Sequence, residues 1–330
     1  GAKDDRNWGF AGDCQSFLLP EEHMQIPELK AVTIEVVVDN FFDVFEPSKP
    51  GLVERAVVGR LPKPLMAAHG LSYWLTLTQN GRTSQVIMDT ANSPLPFFNN
   101  LEALGHDPKE ADALVVSHGH PDHFGGLLEY LSRRGPGLPV YLHEDCYFPK
   151  LLITPRGRVG PWKLDRAELL NRGAQLHENR GPALVEDLAL LTGTVEASTP
   201  YETPLPGAKR VVNGNEEHDT FTDEQALVMN IKDQGLVVIG TCCHPGVINM
   251  VKYAQKLTGV NKVAALLGGF HLTAGGDHLI KETIRGLKEL APEVILAGHC
   301  TGFKAMTQLA LNFPDTFMVS CVGTKLIIGG

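Results

Sequence analysis

The stretch ALVVSHGHPDHFGG, residues 113–126, places three histidines and one aspartate within six residues, directly after an apolar run. The apolar run Ala113–Val116 predicts a buried strand that reaches its carboxyl end at Ser117. Because residues two apart in extended chain face the same way, His118 and His120 should point together. The spacing therefore predicts a pair of imidazoles on one side of the strand end.

A helix should follow this pair. Pro121 suits the first turn of a helix, and the residues after it predict that the helix continues through 124–131. Asp122 and His123 are adjacent on that first turn, so their side chains project in diverging directions. They cannot all serve one ion together with His118 and His120, and we therefore expect two metal sites close to each other.

The chemistry of these residue types supports a metal. Neutral imidazole nitrogen and carboxylate oxygen are ligands that Zn²⁺, Fe²⁺ and Mn²⁺ accept, and catalytic sites keep a position open for water. Such an ion makes hydroxide available at neutral pH. The alternatives are a histidine-rich surface turn, or a helix cap in which Asp122 satisfies backbone N–H groups. Four ligand-type residues placed by a strand, a proline and a helix favour the metal.

The composition is that of a globular protein. Of the 330 residues, 43% are hydrophobic and 20% are charged, which is enough to bury one large core or two modest ones and excludes disorder as the main state. The net charge of −9 argues against a nucleic acid or an anionic membrane surface as the main partner. No apolar run approaches the ~20 residues that a membrane span needs, so we expect a soluble protein.

The amino terminus and the cysteines give little information about location and disulfide bonding. The chain begins Gly1-Ala2-Lys3 without methionine, so we expect that a leader was removed or that expression left extra residues, and both a cytoplasmic and an exported location stay open. The six cysteines are irregularly spaced, unlike a disulfide framework. We expect Cys14, Cys146 and Cys321 to be buried free thiols. The sequence carries no signal for the oligomeric state.

Short apolar runs alternate with helical patterns, which predicts an α/β layered sandwich. Asn80-Gly81 is a turn signal between two of the predicted strands. Helices are predicted over residues 246–257 and 278–290, the second ending before Pro292. The predicted strands are Val32–Val38, Ser72–Leu77, Gln85–Met88, Ala113–Val116, Ala226–Ile231, Leu236–Ile239, Val263–Leu267, Glu293–Leu296 and Leu326–Ile328.

Two stretches rich in Pro, Gly and polar residues interrupt this alternation, at residues 153–161 and 196–219. Long loops inside a compact domain are often functional lids. We therefore predict a single domain over residues 1–330, with two halves folded against each other and loop insertions near 150–162 and 196–222.

The segment SHGHPDHFGG, residues 117–126, is similar to the signature of the metallo-β-lactamase superfamily. This resemblance implies a four-layer αβ/βα sandwich with a dinuclear metal site at its edge. The superfamily also has an aspartate at the end of the preceding strand, and Asp89 after residues 86–88 matches it. Asp89 would orient a metal ligand. Ala91 stands where the superfamily commonly has glycine.

Three later corners repeat one arrangement, a histidine just past an apolar strand, where ligands tend to gather. They are Cys242-Cys243-His244-Pro245-Gly246, Gly268-Gly269-Phe270-His271-Leu272 and Gly298-His299-Cys300-Thr301-Gly302. Together with HGLS at residues 69–72, they resemble a narrower branch, the dihydropterin ribofuranosylaminobenzene phosphate synthase-like proteins. The resemblance covers roughly residues 30–328.

The resemblance implies a ligand set for each of two divalent cations. If the ligand roles of the superfamily motif are assigned to the matching residues of this sequence, one cation would be held by His118, His120 and His244. The second would be held by Asp122, His123 and His299. The superfamily usually has a bridging aspartate at the end of a late strand, where this chain offers Cys242. The thiol of Cys242 is either a ligand, which would favour zinc over iron, manganese or nickel, or a buried side chain that packs under a helix.

The expected activity is hydrolysis of an ester, lactone, amide or phosphoester by metal-activated water, with Asp122 and Asp89 as the catalytic carboxylates. The branch name implies an alternative, transfer of a pterin-methyl group with release of pyrophosphate. A third possibility is a metal-binding protein without turnover. The expected partner is a small-molecule substrate, which is anionic or phosphorylated in one alternative. Candidate contacts to it are His271, which could also be a ligand, His69, Arg156, Arg158, Lys209, Arg210 and the helix start at Gly246.

Overall fold

The computed structural model describes residues 23–330, so the expectation for Cys14 concerns a residue outside the described range. The described chain forms two eight-stranded sheets and one four-stranded sheet. The first sheet has the strand order β10-β7-β6-β5-β4-β2-β20-β3, the second has β11-β12-β15-β16-β17-β18-β19 with β1 beside β15, and the third has β14-β13-β8-β9, with the bounds given next.

The strands are β1 Glu28–Leu29, β2 Ala31–Val38, β3 Val53–Arg55, β4 Ser72–Gln79, β5 Arg82–Met88, β6 Ala113–Val115, β7 Pro139–His143, β8 Lys150–Thr154, β9 Gly157–Trp162, β10 Gln175–Asn179, β11 Ala183–Val185, β12 Ala189–Leu191, β13 Ala208–Val212, β14 Asn215–His218, β15 Leu227–Ile231, β16 Gly235–Gly240, β17 Val263–Gly268, β18 Val294–Ala297, β19 Phe317–Val319 and β20 Thr324–Gly329. The α-helices are α1 Pro94–Leu104, α2 Pro121–Phe124, α3 Leu127–Arg134, α4 Arg166–Asn171, α5 Val247–Thr258, α6 Gly276–Leu290 and α7 Phe303–Asn312. Short 3₁₀ helices cover Val58–Arg60, Pro108–Glu110, Glu144–Tyr147 and His299–Thr301.

Three apolar cores define four layers. One core lies between the two large sheets, where side chains such as Leu75 and Val86 of the first sheet belong to the same buried cluster as Leu267 of the second. Helices α1, α3 and α4 cover the outer face of the first sheet, and α5, α6 and α7 cover the outer face of the second. Burying both faces of both sheets removes the most apolar surface from water. The predicted four-layer αβ/βα sandwich is confirmed.

The central strands of the second sheet explain why they appear as continuous apolar runs in the sequence. Every residue of β16 and of β17 is buried, because helices cover one face of these strands and the other large sheet covers the second face. Parallel strands buried on both faces lose the alternation of polar and apolar residues. All nine predicted strands are present, with bounds that shift by a few residues at most.

The helices predicted over residues 246–257 and 278–290 also form. In α6 the side chains of Ile280, Ile284 and Leu287 are buried on one face, as their spacing predicts, and the helix ends with Ala291 in the left-handed conformation before Pro292. The Asn80-Gly81 turn joins β4 to β5 as an antiparallel pair. Within residues 23–330, no helix combines the length and the hydrophobicity that crossing a membrane requires.

The topology brings the chemically active segments to one edge. Strands β5, β6 and β7 run parallel in the first sheet, and β16, β17, β18 and β19 run parallel in the second. Parallel strands present their carboxyl ends on the same side of a sheet. The segments that follow β5, β6, β16 and β18 contain Asp89, the residues 117–123, His244 and His299, respectively.

The two stretches predicted as loops contain strands, which corrects that expectation. Residues 150–162 form the hairpin β8–β9, and the second stretch contains the hairpin β13–β14. Strand β13 pairs with β8, so the two stretches build one four-stranded sheet. Periodicity did not indicate these strands because they are short and bury few residues, and because β9 contains both Gly and Pro. Their partners are also distant in sequence. We call this unit the third sheet.

Candidate metal centre

The loop after β6 places two imidazoles side by side. His118 is fully buried, and its Nε2 lies 3.2 Å from Nδ1 of His120. His120 has extended dihedral angles and is the N-cap of α2, with Pro121 at the first helical position. The helix predicted through residues 124–131 is interrupted, because α2 ends at Phe124 and α3 begins at Leu127.

A third imidazole completes a first group. His244 lies at the corner between β16 and α5, and one ring nitrogen from each of His118, His120 and His244 lies within 4.8 Å of the others. The His244 ring stacks on Phe221 at 4.2 Å between centroids, with an angle of 3° between the planes. Three convergent imidazoles from two sheets are a donor set that suits a divalent transition metal.

A second group lies beside the first. It contains Asp122, His123, Cys242 and His299, whose ligand atoms also lie within 4.8 Å of one another. The Cys242 Sγ is 3.1 Å from His123 Nε2 and 3.3 Å from His299 Nε2. The Asp122 Oδ2 is 3.3 Å from His299 Nε2 and 3.5 Å from His123 Nε2. The structure thus brings all seven predicted ligand residues together in two groups.

In four of the five ligand histidines, Nδ1 is hydrogen-bonded to a buried or half-buried partner outside the ligand group. When Nδ1–H donates to such a partner, the neutral ring carries its lone pair on Nε2. In all four rings that Nε2 faces one of the two groups, so the rings are preorganised for a cation. The pairs are His118 with Ser117 Oγ at 2.9 Å, His123 with Asp89 Oδ2 at 2.7 Å, His244 with Glu224 Oε2 at 2.6 Å and His299 with Asn40 Oδ1 at 3.1 Å.

Asp89 orients more than one element of the site. Its carboxylate accepts hydrogen bonds from His123 Nδ1, from the Ser117 backbone N–H at 2.8 Å and from the Ser117 hydroxyl at 2.7 Å. Thr241 then donates to the Ser117 hydroxyl at 2.7 Å, which joins the two large sheets. Asp89 and Ala91 both have positive φ, 63° and 56°, a conformation that glycine adopts most readily, so the backbone at Ala91 would suit glycine.

Glu224 is a site residue that the sequence analysis missed. It is fully buried, and its two oxygens accept hydrogen bonds from the backbone N–H groups of Cys242, Cys243 and His244 as well as from the His244 ring. Glu224 therefore holds the whole corner after β16. The only signal in the sequence was a pair of carboxylates, Asp223 and Glu224, directly before an apolar strand, and surface residues often show the same pattern.

Burial and neighbouring charges lower the pKa values of all three histidines in the first group. Burial and the adjacent imidazoles hold the pKa of His118 and of His244 well below the usual value, and burial with the His244 charge lowers the pKa of His120 to about 3. Neutral imidazoles are the form that binds a metal. The first group therefore stays ready for a cation over the physiological pH range.

The second group mixes acid and base. Burial alone would raise the pKa of Asp122, but His123 and His299 hold it well below the usual value. Conversely, burial would lower the pKa of His123, but the carboxylates of Asp122 and Asp89 raise it well above its usual value. Burial raises the pKa of the Cys242 thiol well above its usual value. A bound cation would reverse this preference, because a coordinating thiol loses its proton.

A cavity of about 480 Å³ opens onto both groups. The floor of the cavity is polar and contains His69 and His271, two of the candidate substrate contacts. Nε2 of His69 lies 3.3 Å from Asp122 Oδ2, whereas the His271 ring lies 4.5 Å from that of His244. Its wall is apolar and contains Leu151, Leu152, Trp162, Leu205, Ala208 and Phe221, mostly from the third sheet and its connections. The described residues that line it include no lysine or arginine.

The predicted basic contacts lie elsewhere. Arg156 and Arg158 are exposed on the β8–β9 hairpin and do not line the cavity, and Arg158 pairs with Glu216 of β14 at 2.5 Å. Lys209 does not line the cavity either, and Arg210 pairs with Glu217 at 2.7 Å. The structure therefore does not support a basic anion site at these positions.

The predicted anion site at the start of α5 is already filled. The Glu202 carboxylate accepts the backbone N–H groups of Ile248 at 2.9 Å and Asn249 at 2.8 Å. A Cβ at Gly246 would collide with the Glu202 side chain, so glycine is required for this close approach. An internal carboxylate thus takes the place that an anion of the substrate was expected to occupy.

The paired glycines that end the motif are explained by close backbone packing. Gly125 N–H donates to Ala91 O at 2.8 Å, and a Cβ at Gly125 would collide with the backbone of Asn92. We expect Gly125→Ala to lower the free energy of unfolding by about 1–3 kcal/mol, measured by urea denaturation. Gly181→Ala is the control, because a Cβ at Gly181 meets nothing within 4 Å. Equal stability of both variants would contradict this packing.

Comparison with known proteins shows similarity to a superfamily of metal-dependent enzymes, in agreement with the two ligand groups. The family model described as the metallo-beta-lactamase superfamily matches residues 76–219. The chain is 30% identical over 259 residues to the 7,8-dihydropterin-6-methyl-4-(beta-D-ribofuranosyl)-aminobenzene-5'-phosphate synthase of Methanocaldococcus jannaschii, which covers 77% of this chain and 88% of the relative. It is 27% identical over 248 residues to an uncharacterized protein of the same organism, covering 75% of this chain and 90% of that protein.

Among solved structures, a crystal structure of a metal-dependent hydrolase of the beta-lactamase superfamily matches with a TM-score of 0.70 and 26% identity, covering 91% of this chain and 100% of the other. The similarity to this structure and to the synthase extends over most of the fold. The chain belongs to the metallo-β-lactamase superfamily and, within it, to the branch that includes the dihydropterin ribofuranosylaminobenzene phosphate synthase.

Proposed function

We propose that the protein is a hydrolase that uses two divalent cations to cleave an ester, lactone, amide or phosphoester in a small molecule. The observation that carries this proposal is the pair of ligand groups in which four rings turn Nε2 inward while Nδ1 is hydrogen-bonded outward. Such preorganised rings, next to an open cavity, fit catalytic metal sites. A protein that only binds metal has no need for the cavity.

The first cation would be held by His118, His120 and His244, and the second by Asp122, His123, His299 and Cys242. When bound, the two cations lower the pKa of water to about 7 and stabilise negative charge on the attacked centre. The thiol of Cys242 favours zinc, with iron, manganese or nickel as alternatives. Asp89 and Glu224 keep the ligand rings oriented.

His69 provides a route for a proton, and Asp122 orients its ring. Asp122 Oδ2 lies at the cavity, and the His69 ring, whose side chain is 64% exposed, approaches it to 3.3 Å through Nε2. The ionised Asp122 carboxylate accepts a hydrogen bond from His69 Nε2–H, which holds the imidazole at the cavity, where it can pass a proton to the leaving group or to solvent. His69 also stacks on His299, which keeps its ring over the site.

The apolar wall supports a substrate with an apolar portion. Leucine, tryptophan and phenylalanine side chains line the cavity opposite the ligands, and no described lysine or arginine lines it. A neutral ester, lactone or amide gains from such a wall, whereas a phosphate would have to rely on the cations alone for charge neutralisation. We therefore favour the neutral electrophiles within the proposed class.

A second candidate activity is transfer of a pterin-methyl group with release of pyrophosphate. The 30% identity to the dihydropterin ribofuranosylaminobenzene phosphate synthase favours it. Against it stand the positions of the basic residues, which pair with acidic side chains or lie outside the cavity. The activity assay below distinguishes the two.

The test combines metal analysis with substrates. We expect the protein loaded with Zn²⁺ or Mn²⁺ to bind about two equivalents and to hydrolyse 4-nitrophenyl acetate or a γ-lactone, and EDTA to abolish this activity until metal is restored. Inductively coupled plasma analysis and release of 4-nitrophenol are the measurements. Pyrophosphate release that requires two co-substrates would replace this proposal with the transferase. Two bound equivalents without turnover in either assay would indicate a metal-binding protein.

A further inference from the structure

One buried ionic cluster has no part in the ligand groups. Lys150, the first residue of β8, is 1% exposed, and its Nζ donates to Asp219 Oδ2 at 2.6 Å and to Asp223 Oδ1 at 2.8 Å. Both aspartates are fully buried. Burying three charged groups is costly, and a cluster of apolar residues would serve stability as well. Such a cluster therefore calls for a role in fixing a particular arrangement.

One arm of the cluster reaches the first ligand group. The second oxygen of Asp223, Oδ2, accepts the backbone N–H of Gly119 at 2.8 Å. Gly119 separates the two adjacent ligand histidines, and a Cβ there would meet Cys146 O at 2.5 Å, so this backbone is tightly enclosed. Asp223 thus fixes the peptide that sets the spacing of the His118 and His120 rings.

The other arm reaches the apolar wall. The second oxygen of Asp219, Oδ1, accepts the backbone N–H of Phe221 at 2.8 Å. Phe221 has a positive φ of 55°, lines the cavity and stacks on the His244 ring. Lys150 itself precedes Leu151 and Leu152, two further wall residues, and its Nζ lies 5.7 Å from the centre of the Phe221 ring.

Charge balance strengthens this link. Attraction to Asp223 and Asp219 outweighs burial and raises the pKa of Lys150, while Lys150 and the Gly119 N–H lower the pKa of Asp223 to about 2 against its burial. Lys150 and Asp223 are therefore charged at neutral pH. The Lys150 ammonium group ties the two sides of the cluster together, because it donates to both Asp219 and Asp223.

We propose that Lys150, Asp219 and Asp223 form a positioning triad that holds the apolar wall of the third sheet in register with the ligand loop at residues 117–123. In this arrangement the third sheet determines substrate specificity, because its apolar wall contacts the apolar portion of the substrate. The triad fixes the distance between that wall and the two ligand groups. The specificity role rests on the proposed hydrolase function, whereas the link to the ligand loop does not.

The two arms predict separable defects in the full-length protein. Asp223→Asn should weaken binding of one of two Co²⁺ ions by roughly tenfold, because outer partners of metal ligands typically contribute that much. The visible spectrum of bound Co²⁺ is the measurement.

Asp219→Asn should leave Co²⁺ affinity unchanged and raise the KM for 4-nitrophenyl hexanoate by roughly tenfold, because the longer acyl chain needs contact with the apolar wall. The KM for 4-nitrophenyl acetate should change less. Lys163→Met is the control, since Lys163 is an exposed lysine just past β9 that pairs with the exposed Asp165 and lies outside the triad.

Both Asn variants preserve shape and leave Lys150 one carboxylate, so they should fold, whereas Lys150→Met leaves two unpaired buried carboxylates. Hydrogen exchange provides a readout without substrate: peptides covering residues 117–123 should exchange faster in Asp223→Asn, and peptides covering 150–162 faster in Asp219→Asn. If both variants only melt earlier, with Co²⁺ affinity and both exchange patterns unchanged, the triad is purely structural and the proposal is wrong. If the wild type hydrolyses neither ester, the proposed function fails, and Co²⁺ affinity and exchange still decide the positioning role.

Discussion

Replacing His120 by alanine should remove most of the bound metal and nearly all activity while the fold remains. His120 Nδ1 and His118 Nε2 lie 3.2 Å apart, and without His120 the first group keeps only two imidazoles. Loss of an outer partner of a metal ligand costs about 10–100-fold in affinity or activity, so loss of a ligand itself should cost more than about 100-fold. Metal content after dialysis and the rate of ester hydrolysis are the measurements.

The fold should survive because of where His120 lies. It is half-buried at the sheet edge and precedes the short helix α2, and among residues 23–330 its ring makes no hydrogen bond to a backbone group. The melting temperature of the metal-free variant should therefore stay close to that of the metal-free wild type. His218→Ala is the matched control, an exposed histidine on β14 outside both groups. Two equivalents of tightly bound metal in the His120 variant would overturn the ligand assignment.

The ligand loop could be predicted because its information is local. The apolar run before Ser117, the spacing of His118 and His120 and the proline at 121 together specify a strand end followed by a helix start. The later histidines at 244 and 299 follow apolar runs in the same way. Parallel strands of one sheet end at the same edge, but His118 and His244 follow strands of different sheets, so only the resemblance to the superfamily predicted that they meet.

The residues that orient the ligands could not be predicted in the same way. Glu224 and Lys150 are charged residues, and such residues are mostly exposed in proteins. Their burial depends on partners far along the chain: Glu224 binds the corner at 242–244, and Lys150 binds Asp219 and Asp223. No pattern within a short window reports such partners.

The third sheet was missed for a related reason. Strand β9 has only exposed and half-exposed residues, and β14 is exposed throughout, so neither shows the alternation that marks a half-buried strand. What stabilises the sheet is the pairing of β8 with β13, about 60 residues later in the chain. The expected lid is therefore an ordered wall, and the expected arginine contacts do not line the cavity.

Replacing Glu224 should damage both stability and metal binding, in a way that separates the two roles. In Glu224→Ala, three buried backbone N–H groups and the His244 Nδ1–H lose their acceptor. Each unsatisfied buried donor costs about 1–3 kcal/mol, and water entering the space will offset part, so we expect a loss of about 3 kcal/mol or more in the free energy of unfolding. Urea denaturation of the metal-free protein measures it.

Glu224→Gln should have a different effect, because the amide keeps the shape of the side chain but replaces one acceptor oxygen with a donor. If the oxygen stays with Cys242 and Cys243, the NH₂ group faces His244 and favours the tautomer with the proton on Nε2, the nitrogen that faces the metal. We expect affinity for the first cation to fall by about 10–100-fold, measured by competition with a chelating dye. Glu196→Gln, in an exposed pair with Lys256, should change neither property. Wild-type metal affinity in Glu224→Gln would mean that the His244 tautomer is set by the cation and not by Glu224.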